Sequence, residues 1–340
     1  MTEKSYRNAI RETLYQEMGR DPDIILIGED VAGGAKSEGS KNSGEEDAWG
    51  GPMGVTKGLI GEYGAQRVLD APISEAAFIG AAIGAAAAGL RPVTELMFND
   101  FLGVCCDQIV NQAAKYHYMF GAQDTIPLTI RTTMGAGLRI SAQHSQSLHS
   151  VFTHFAGLKV ALPSTPYEAK GLLATAIRDN DPVIFCEHKI LYRMRDEVPD
   201  ESYSIPFGEA RFVMDGEDVT IVAFSRMVHV ATEAAKILAG QGIKCTVIDP
   251  RTTVPLDTES IFDSVDETGR LVIVDEGGPR CGIAADISAM VADEVFHALK
   301  APIKCVTPPY ALIPAAPNLE DLYVPDAAKI VAAVVSIMDK

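Results

Sequence analysis

Two short stretches of the sequence carry residue types that could do acid–base chemistry. The first is Asp70-Ala-Pro-Ile-Ser-Glu75, which lies between a short apolar segment and a long run of alanine and glycine. If that run is a helix, Ser74 could cap it and Glu75 would lie in its first turn. A carboxylate there is stabilised by the helix dipole, and in an apolar cleft it could instead act as a positioned acid or base. The residues alone leave both interpretations open.

The second stretch is Gln143-His-Ser-Gln146, which follows a Gly135-Ala-Gly137 segment and a predicted strand. Ligands bind at the carboxyl ends of parallel strands, so a histidine in such a loop is a candidate site residue. The alternative is a structural histidine held by hydrogen bonds. His144, His149 and His154 are five residues apart, which would scatter them around a helix, so the spacing does not indicate a zinc cluster.

Composition and missing motifs argue against several classes of function. The 340 residues include 29 Lys and Arg against 46 Asp and Glu, and the net charge of −17 disfavours binding to nucleic acid or anionic membranes. The sequence has no Walker-type phosphate loop, no strand-linked Gly-x-Gly-x-x-Gly and no Gly-x-Ser-x-Gly elbow. The longest apolar run, 76–90, is too short to span a bilayer, and the N-terminus lacks a secretory apolar core. We therefore expect a soluble protein that is cytoplasmic, or that lies in an organelle matrix after loss of a targeting segment.

Cysteine usage agrees with a reducing compartment. None of the six cysteines forms a Cys-x-x-Cys pair, and a disulfide framework is not expected in a chain of this length. We predict reduced, buried thiols at Cys105, Cys106, Cys186, Cys245, Cys281 and Cys305.

The elements that would position these residues alternate between strands and helices. Hydrophobic residues make up 47% of the chain, and at about 150 residues per domain the length suggests two domains. The alternation predicts parallel sheets with right-handed crossovers, in two α/β domains at 1–192 and 207–340 with a charged linker at 193–206. Predicted strands are 24–28, 68–69, 93–98, 127–131, 158–162, 183–187, 219–224, 244–249, 271–275 and 303–306. Predicted helices are 6–18, 76–89, 100–119, 166–178, 228–241 and 282–299.

Two glycine-containing segments predict contacts with other parts of the molecule or with a partner. Residues 32–51 are rich in Gly, Ser, Lys and Glu and predict a long loop, which could be a lid or a subunit contact. Gly80 and Gly84 lie one turn apart on the predicted helix, so a second backbone could pack close to it. That backbone could belong to another domain or subunit, or to the same domain.

In their order and spacing, nine stretches of the sequence resemble the beta subunits of the thiamine-diphosphate-dependent 2-oxoacid dehydrogenase components. The resemblance runs over nearly the whole chain, and the combination is specific although each stretch is short. The stretches are Gly28-Glu-Asp-Val31, Asp70-Ala-Pro-Ile-Ser-Glu75, Gly89-Leu-Arg-Pro92, Glu95-Leu-Met-Phe98, Asp107-Gln-Ile-Val-Asn-Gln-Ala-Ala-Lys115, Gln143-His-Ser-Gln146, Lys170-Gly-Leu-Leu173, Ala176-Ile-Arg-Asp179 and Asp249-Pro-Arg-Thr252.

Within that family the sequence most resembles acetoin dehydrogenase beta subunits. This similarity rests on Asp47-Ala-Trp-Gly-Gly51, Cys186-Glu-His-Lys189, Asp275-Glu276 and Pro279-Arg-Cys281. It implies a thiamine-diphosphate-binding (pyrimidine) fold followed by a transketolase C-terminal-like domain. The implied reaction cleaves acetoin to acetaldehyde and a hydroxyethyl–cofactor intermediate that is passed to lipoyl groups. The alternative is a pyruvate or branched-chain 2-oxoacid dehydrogenase, in which carbon dioxide leaves first.

The resemblance also implies how the cofactor is shared between chains. An alpha chain holds the diphosphate and its magnesium through a Gly-Asp-Gly motif, which this sequence lacks. The cofactor would lie between chains in a heterotetramer of two alpha and two beta subunits, which serves a lipoyl-bearing acyltransferase core. Glu75 matches the glutamate that hydrogen-bonds the aminopyrimidine ring, and His144 matches the histidine that orients substrate and assists proton transfer. Ile73, Met97 and Phe101 match positions that line the pyrimidine pocket.

Some members of the family bind a structural monovalent cation, such as potassium. Backbone carbonyls and a carboxylate suit a hard cation. The matching positions here are Leu128, Ala176, Ile177, Asp179 and Asp181, the last of which is Asn in the pyruvate branch. The family also uses acidic residues to connect its paired active sites, and Glu29 and Glu95 are the candidates in this chain.

Two other classes of function compete with this one. A single-chain transketolase or deoxyxylulose-phosphate synthase would need a diphosphate-binding domain, which this sequence lacks. A non-catalytic scaffold that only holds an alpha chain would not need a carboxylate such as Glu75 in apolar surroundings.

Overall fold

The computed structural model describes residues 1–33 and 50–338. The Asp47-Ala-Trp motif and most of the predicted 32–51 loop lie outside the described residues. Within the described part of the chain, no helix is both long and apolar enough to cross a bilayer.

Strands and helices alternate along most of the described chain, as the sequence predicts. The strands are β1 (Thr2–Ser5), β2 (Ile24–Gly28), β3 (Val68–Asp70), β4 (Arg91–Phe98), β5 (Thr129–Met134), β6 (Lys159–Ala161), β7 (Val183–His188), β8 (Arg195–Val198), β9 (Arg211–Met214), β10 (Val219–Ala223), β11 (Cys245–Asp249), β12 (Thr252–Val254), β13 (Leu271–Val274) and β14 (Lys304–Val306). The α-helices are α1 (Tyr6–Arg20), α2 (Leu59–Tyr63), α3 (Glu75–Ala87), α4 (Leu102–Asp107), α5 (Ala114–Met119), α6 (His149–Thr153), α7 (Pro166–Arg178), α8 (Arg226–Ala239), α9 (Thr258–Thr268), α10 (Ile283–Glu294), α11 (Pro317–Tyr323) and α12 (Ala327–Met338).

The first half of the chain is organised around a seven-stranded sheet in the order β12-β6-β7-β5-β4-β2-β3. All neighbours in it run parallel except β12 and β6, which are antiparallel. Strands β5 and β7 are buried along their whole length, as expected for a parallel sheet covered on both faces. Because β12 comes from the second half of the chain, both halves contribute to this sheet.

A five-stranded sheet in the order β14-β13-β10-β11-β9 organises the second half. Its neighbours run parallel except β11 and β9. The predicted α/β class with two parallel sheets is therefore confirmed. The antiparallel edge strands are not predicted from the sequence, because three or four residues are too few to show a period of two.

Three local expectations differ from the structure. The predicted 100–119 helix is divided into Asn99–Phe101 (a 3₁₀ turn), α4, Gln108–Ala113 (a π-helical segment) and α5. The predicted linker contains β8, which pairs with β1 at the N-terminus. All six cysteines are free thiols as predicted, but Cys281 and Cys305 are exposed, so the prediction of burial is wrong for these two.

Candidate active site

Glu75 lies at the point where the β3 strand turns into helix α3. It is the first residue of the helix and only 7% exposed, so its carboxylate faces the partial positive charge of the helix N-terminus. The expected cap is wrong: Ser74 has φ −157° and ψ 78°, and its side chain bonds no helix N–H. Among the described residues, the Glu75 carboxylate has no hydrogen-bond or ion-pair partner. The carboxylate is thus open to a group from outside the described residues.

Other titratable groups surround Glu75. Burial raises the pKa of Glu29, and the nearby carboxylates of Asp30 and Glu75 raise it further. Burial, with a smaller contribution from Glu75, raises the pKa of the Cys105 thiol to about 12. The Cys105 thiol is therefore protonated at neutral pH, and burial together with two nearby carboxylates favours the protonated form of Glu29.

His144 lies in the loop that follows β5, in contact with two aromatic rings. Its imidazole packs edge-on against Phe98 and Phe101, with centroid distances of 4.8 and 5.6 Å. Next to it, the Gln146 side-chain amide donates to the Asp100 carboxylate at 2.9 Å. The Nζ of Lys189 donates to the backbone carbonyl of His144. The structure therefore brings His144 and Phe101, two of the predicted site residues, into contact.

The predicted pocket residues differ in their exposure. Met97 and Phe101 are partly buried, and the Met97 carbonyl accepts a hydrogen bond from Thr133 Oγ1 at 2.6 Å. Ile73 is 77% exposed and Val104, on the adjacent helix α4, is 57% exposed. Apolar side chains this exposed beside a buried carboxylate form an open rim, which suits a ligand that has an apolar body and a polar anchor.

A buried ionic network lies behind this rim and is not predicted from the sequence. Arg131, 1% exposed, contacts Glu187 through two N–H groups and Glu95 through a third. Burial raises the pKa of Glu95 although Arg131 opposes the shift. The sequence does carry a signal for this network, since Arg131 is a charged residue within a predicted strand. A charge at a buried strand position is retained only when it is paired.

Three of the five residues predicted to bind a monovalent cation, Ile177, Asp179 and Asp181, have cationic partners in the structure, and the Leu128 and Ala176 carbonyls accept backbone N–H groups. Arg91 Nη1 donates to the carbonyls of Ile177 and Asp179 at 3.0 and 2.7 Å. Lys159 Nζ lies 2.7 Å from Asp179 Oδ2 and 3.0 Å from Asp181 Oδ2. The residues as arranged do not fit an additional bare cation. Among the described residues, no group of three or more His, Cys, Asp or Glu side chains is arranged to hold a metal ion.

Comparison with known proteins defines the class to which this fold and site belong. The model of the transketolase pyrimidine-binding domain matches residues 2–195, and that of the transketolase C-terminal domain matches residues 208–330. A solved structure described as a split-gene transketolase, an inactive beta4 tetramer, is 21% identical, with a TM-score of 0.76 and 98% of each chain covered. This structure supports the fold alone. The chain is a two-domain α/β protein of the transketolase class.

Sequence similarity to curated proteins identifies the family within this class. The chain is 58% identical to the beta subunit of acetoin:2,6-dichlorophenolindophenol oxidoreductase from Cupriavidus necator, covering 97% of this chain and 96% of the relative. It is 52% identical to the subunit of the same name from Bacillus subtilis, covering 98% and 97%. It is 43% identical to the pyruvate dehydrogenase E1 beta subunit from Rickettsia felis, covering 96% of both. The chain belongs to this family of dehydrogenase beta subunits, which confirms the resemblance found in the sequence.

Proposed function

We propose that this chain is the beta subunit of the thiamine-diphosphate-dependent component of an acetoin dehydrogenase complex, active together with an alpha subunit. The observation that carries the proposal is Glu75, a buried carboxylate at a helix N-terminus with no partner among the described residues, beside an exposed apolar rim. Acetoin is favoured over pyruvate because two acetoin oxidoreductase subunits are 58% and 52% identical, against 43% for the pyruvate relative.

The residues present fit the pyrimidine half of the cofactor. When bound, thiamine diphosphate supplies a thiazolium carbon that can attack a carbonyl carbon and stabilise the resulting negative charge. Glu75 would share a proton with a ring nitrogen of the aminopyrimidine, which requires a carboxylate in a site shielded from water. Ile73, Met97 and Phe101 would pack against the ring. The diphosphate and its magnesium would be held by the alpha subunit.

His144 would act on the substrate and on the acceptor. Its imidazole is half-buried against Phe98 and Phe101, which restricts its rotation while leaving part of it accessible. It would orient the substrate hydroxyl and deliver a proton to the lipoyl disulfide of an acyltransferase partner. Of the two acids proposed to connect paired sites, Glu29 is next to Glu75, whereas Glu95 is bound to Arg131.

We further propose residues 1–192 as the pyrimidine-binding domain and 207–340 as the C-terminal domain, in a heterotetramer of two alpha and two beta chains. The two family models, which end at 195 and begin at 208, support this boundary. No role is assigned to potassium, because Arg91 and Lys159 already bond the candidate oxygens.

The proposal is tested by turnover of the reconstituted alpha–beta complex with a dye as electron acceptor. Acetoin, pyruvate and branched 2-oxoacids are supplied in parallel, and selective turnover of acetoin is expected. A preference for a 2-oxoacid would contradict the acetoin assignment and leave the family unchanged. Tight binding of thiamine diphosphate by the isolated chain would contradict the shared site.

A further inference from the structure

Lys189 contacts the candidate catalytic histidine from two directions. It directly follows β7, and its Nζ donates to the backbone carbonyl of His144. The same Nζ lies 5.1 Å from the centroid of the Phe98 ring, against which the His144 imidazole packs. One buried ammonium therefore touches both the backbone of His144 and the aromatic ring that supports its side chain.

Ion pairing does not account for this position of Lys189. Its side chain is buried, with the residue 3% exposed, yet within the described chain it forms no ion pair and its only hydrogen bond is to His144. Burial lowers its pKa to about 8, while Asp100, Glu276 and Glu320 oppose the shift. Burying an ammonium that has three donors but only one acceptor lowers the stability of the folded protein. The position of Lys189 beside His144 is therefore better explained by function than by stability.

Two carboxylates from the second half of the chain hold the start of the same loop. Glu276 accepts from the Ala136 N–H at 2.6 Å and contacts His188 Nε2 at 2.9 Å. Glu320 accepts from the Gly137 N–H at 3.0 Å and pairs with Arg139 at 2.6 Å. These contacts fix residues 136–139 and leave the segment around His144 to be held by other groups.

Open space adjoins the far side of this segment. A cavity of about 420 Å³ lies between the loop and residues 309–313, and it is lined in part by Gln146 and Ser147. The Ser147 hydroxyl is buried and has no hydrogen-bond partner in the part of the chain that the structure describes. Among the described residues, Lys189 is the one side chain that bonds the backbone of His144. The other backbone hydrogen bonds of this segment are longer: the His144 N–H donates to the Ser141 carbonyl at 3.5 Å and the Gln146 N–H to Asp100 at 3.3 Å.

We propose that Lys189 is a positioning residue for His144: its ammonium fixes the His144 carbonyl and so aims the imidazole at the reacting groups. This inference deepens the proposed function and rests on it, since it concerns a group of that site. Lys189 itself would touch neither substrate nor cofactor. Displacing a catalytic group by about 1 Å can reduce a rate by roughly a hundredfold, so loss of Lys189 is expected to be visible in turnover.

The kinetic test is a double-mutant cycle in the reconstituted alpha–beta complex, with transfer to a lipoyl domain as the readout. Lys189→Met should lower lipoyl acylation roughly ten- to a hundredfold, in kcat rather than in the apparent affinity for thiamine diphosphate. In a His144→Ala background the same change should have little further effect, because the residue it positions is gone. Equal effects in both backgrounds would overturn the proposal.

A structural readout separates this inference from the proposed function. Hydrogen exchange of peptides covering 138–148 in the complex should rise in Lys189→Met and in Lys189→Ala, the second variant in case the first does not assemble. Lys170→Met is the matched control, since Lys170 is also buried but bonds Glu12 and the Pro199 carbonyl, outside the site. Unchanged exchange around His144 in the Lys189 variants would overturn the inference. If His144→Ala leaves lipoyl acylation intact, the proposed role of His144 fails, while exchange still decides whether Lys189 anchors the loop.

Discussion

Arg131 and Glu187 form a two-pronged ion pair inside the seven-stranded sheet, with Nε 2.7 Å from Oε1 and Nη2 2.9 Å from Oε2. The same guanidinium donates to Glu95 at 2.8 Å, and the Tyr192 hydroxyl donates to Glu187 at 2.6 Å. Three neighbouring strands, β4, β5 and β7, are joined by this network. Since Arg131 is 1% exposed, water cannot replace any partner that is removed.

Replacing Arg131 with Met should therefore destabilise the protein strongly. The change leaves Glu95 and Glu187 buried without their cation, and breaking a buried pair in this way costs about 3–5 kcal/mol. The measurement is the urea or thermal midpoint of the reconstituted complex. Arg195→Met is the control, because Arg195 pairs with Glu3 at 2.9 Å while 56% exposed and should contribute little. Equal shifts of the unfolding midpoint in the two variants would show that the buried network contributes no more to stability than the exposed ion pair.

Glu75 is expected to be needed for turnover and not for assembly. Glu75→Gln keeps the size of the side chain but cannot exchange a proton, so turnover should fall about 10²–10⁴-fold, and Glu75→Ala should abolish it. The alpha–beta complex should still form, since Glu75 bonds no described residue. Turnover is followed by dye reduction and assembly by size-exclusion chromatography, with the exposed Glu201→Gln as control. Full activity of Glu75→Ala would contradict the proposed catalytic role of Glu75.

The sequence predicts the parts of this fold that are local, and misses those that depend on distant partners. Helix α7 is predicted with both of its bounds, because Thr165 caps it, Pro166 begins it and its apolar residues follow one face. Arg131 and Glu276 are missed as structural groups, since their partners lie 56 and 140 residues away along the chain. Residue type and position already single out Glu75 and His144, but only the family resemblance favours catalytic over structural roles for them, and these roles stay predictions.

The candidate cation site gives a third prediction, which concerns potassium. Lys159 Nζ occupies the space between the Asp179 and Asp181 carboxylates, so exchanging sodium for potassium should not change the thermal midpoint of the wild-type complex. Lys159→Met removes the ammonium and leaves two carboxylates near carbonyl oxygens, a set suited to a hard cation. The variant should therefore be stabilised by potassium, measured as a midpoint that rises with its concentration. A potassium-dependent midpoint in the wild type would show that Lys159 does not fill the site.

Asp249 gives a prediction about pH. Its carboxyl group is buried, accepts from Ser164 Oγ at 2.6 Å and lies 3.4 Å from Arg211 Nη2. Burial and the adjacent Glu168 raise its pKa to about 7, although Arg211 opposes the shift. The folded protein thus binds a proton at Asp249 between about pH 4 and 7 that the unfolded chain has released. This stabilisation is complete below about pH 4, declines as pH rises from 4 to 7 and is gone above pH 7.

Asp249→Asn resembles the protonated form at every pH, so it isolates this contribution. The midpoint of the wild-type complex minus that of the variant should fall steadily as pH rises from 5 to about 7 and level off between pH 7 and 8. Subtracting the variant removes the pH dependence that comes from groups that do not interact with Asp249; Glu168 is the carboxyl group that does. Asp263→Asn, on helix α9 and exposed, is the control and should show a flat difference. A difference that rises with pH would mean that the ionised Asp249 is stabilised by Arg211 and Arg251 more than it is penalised by burial and Glu168.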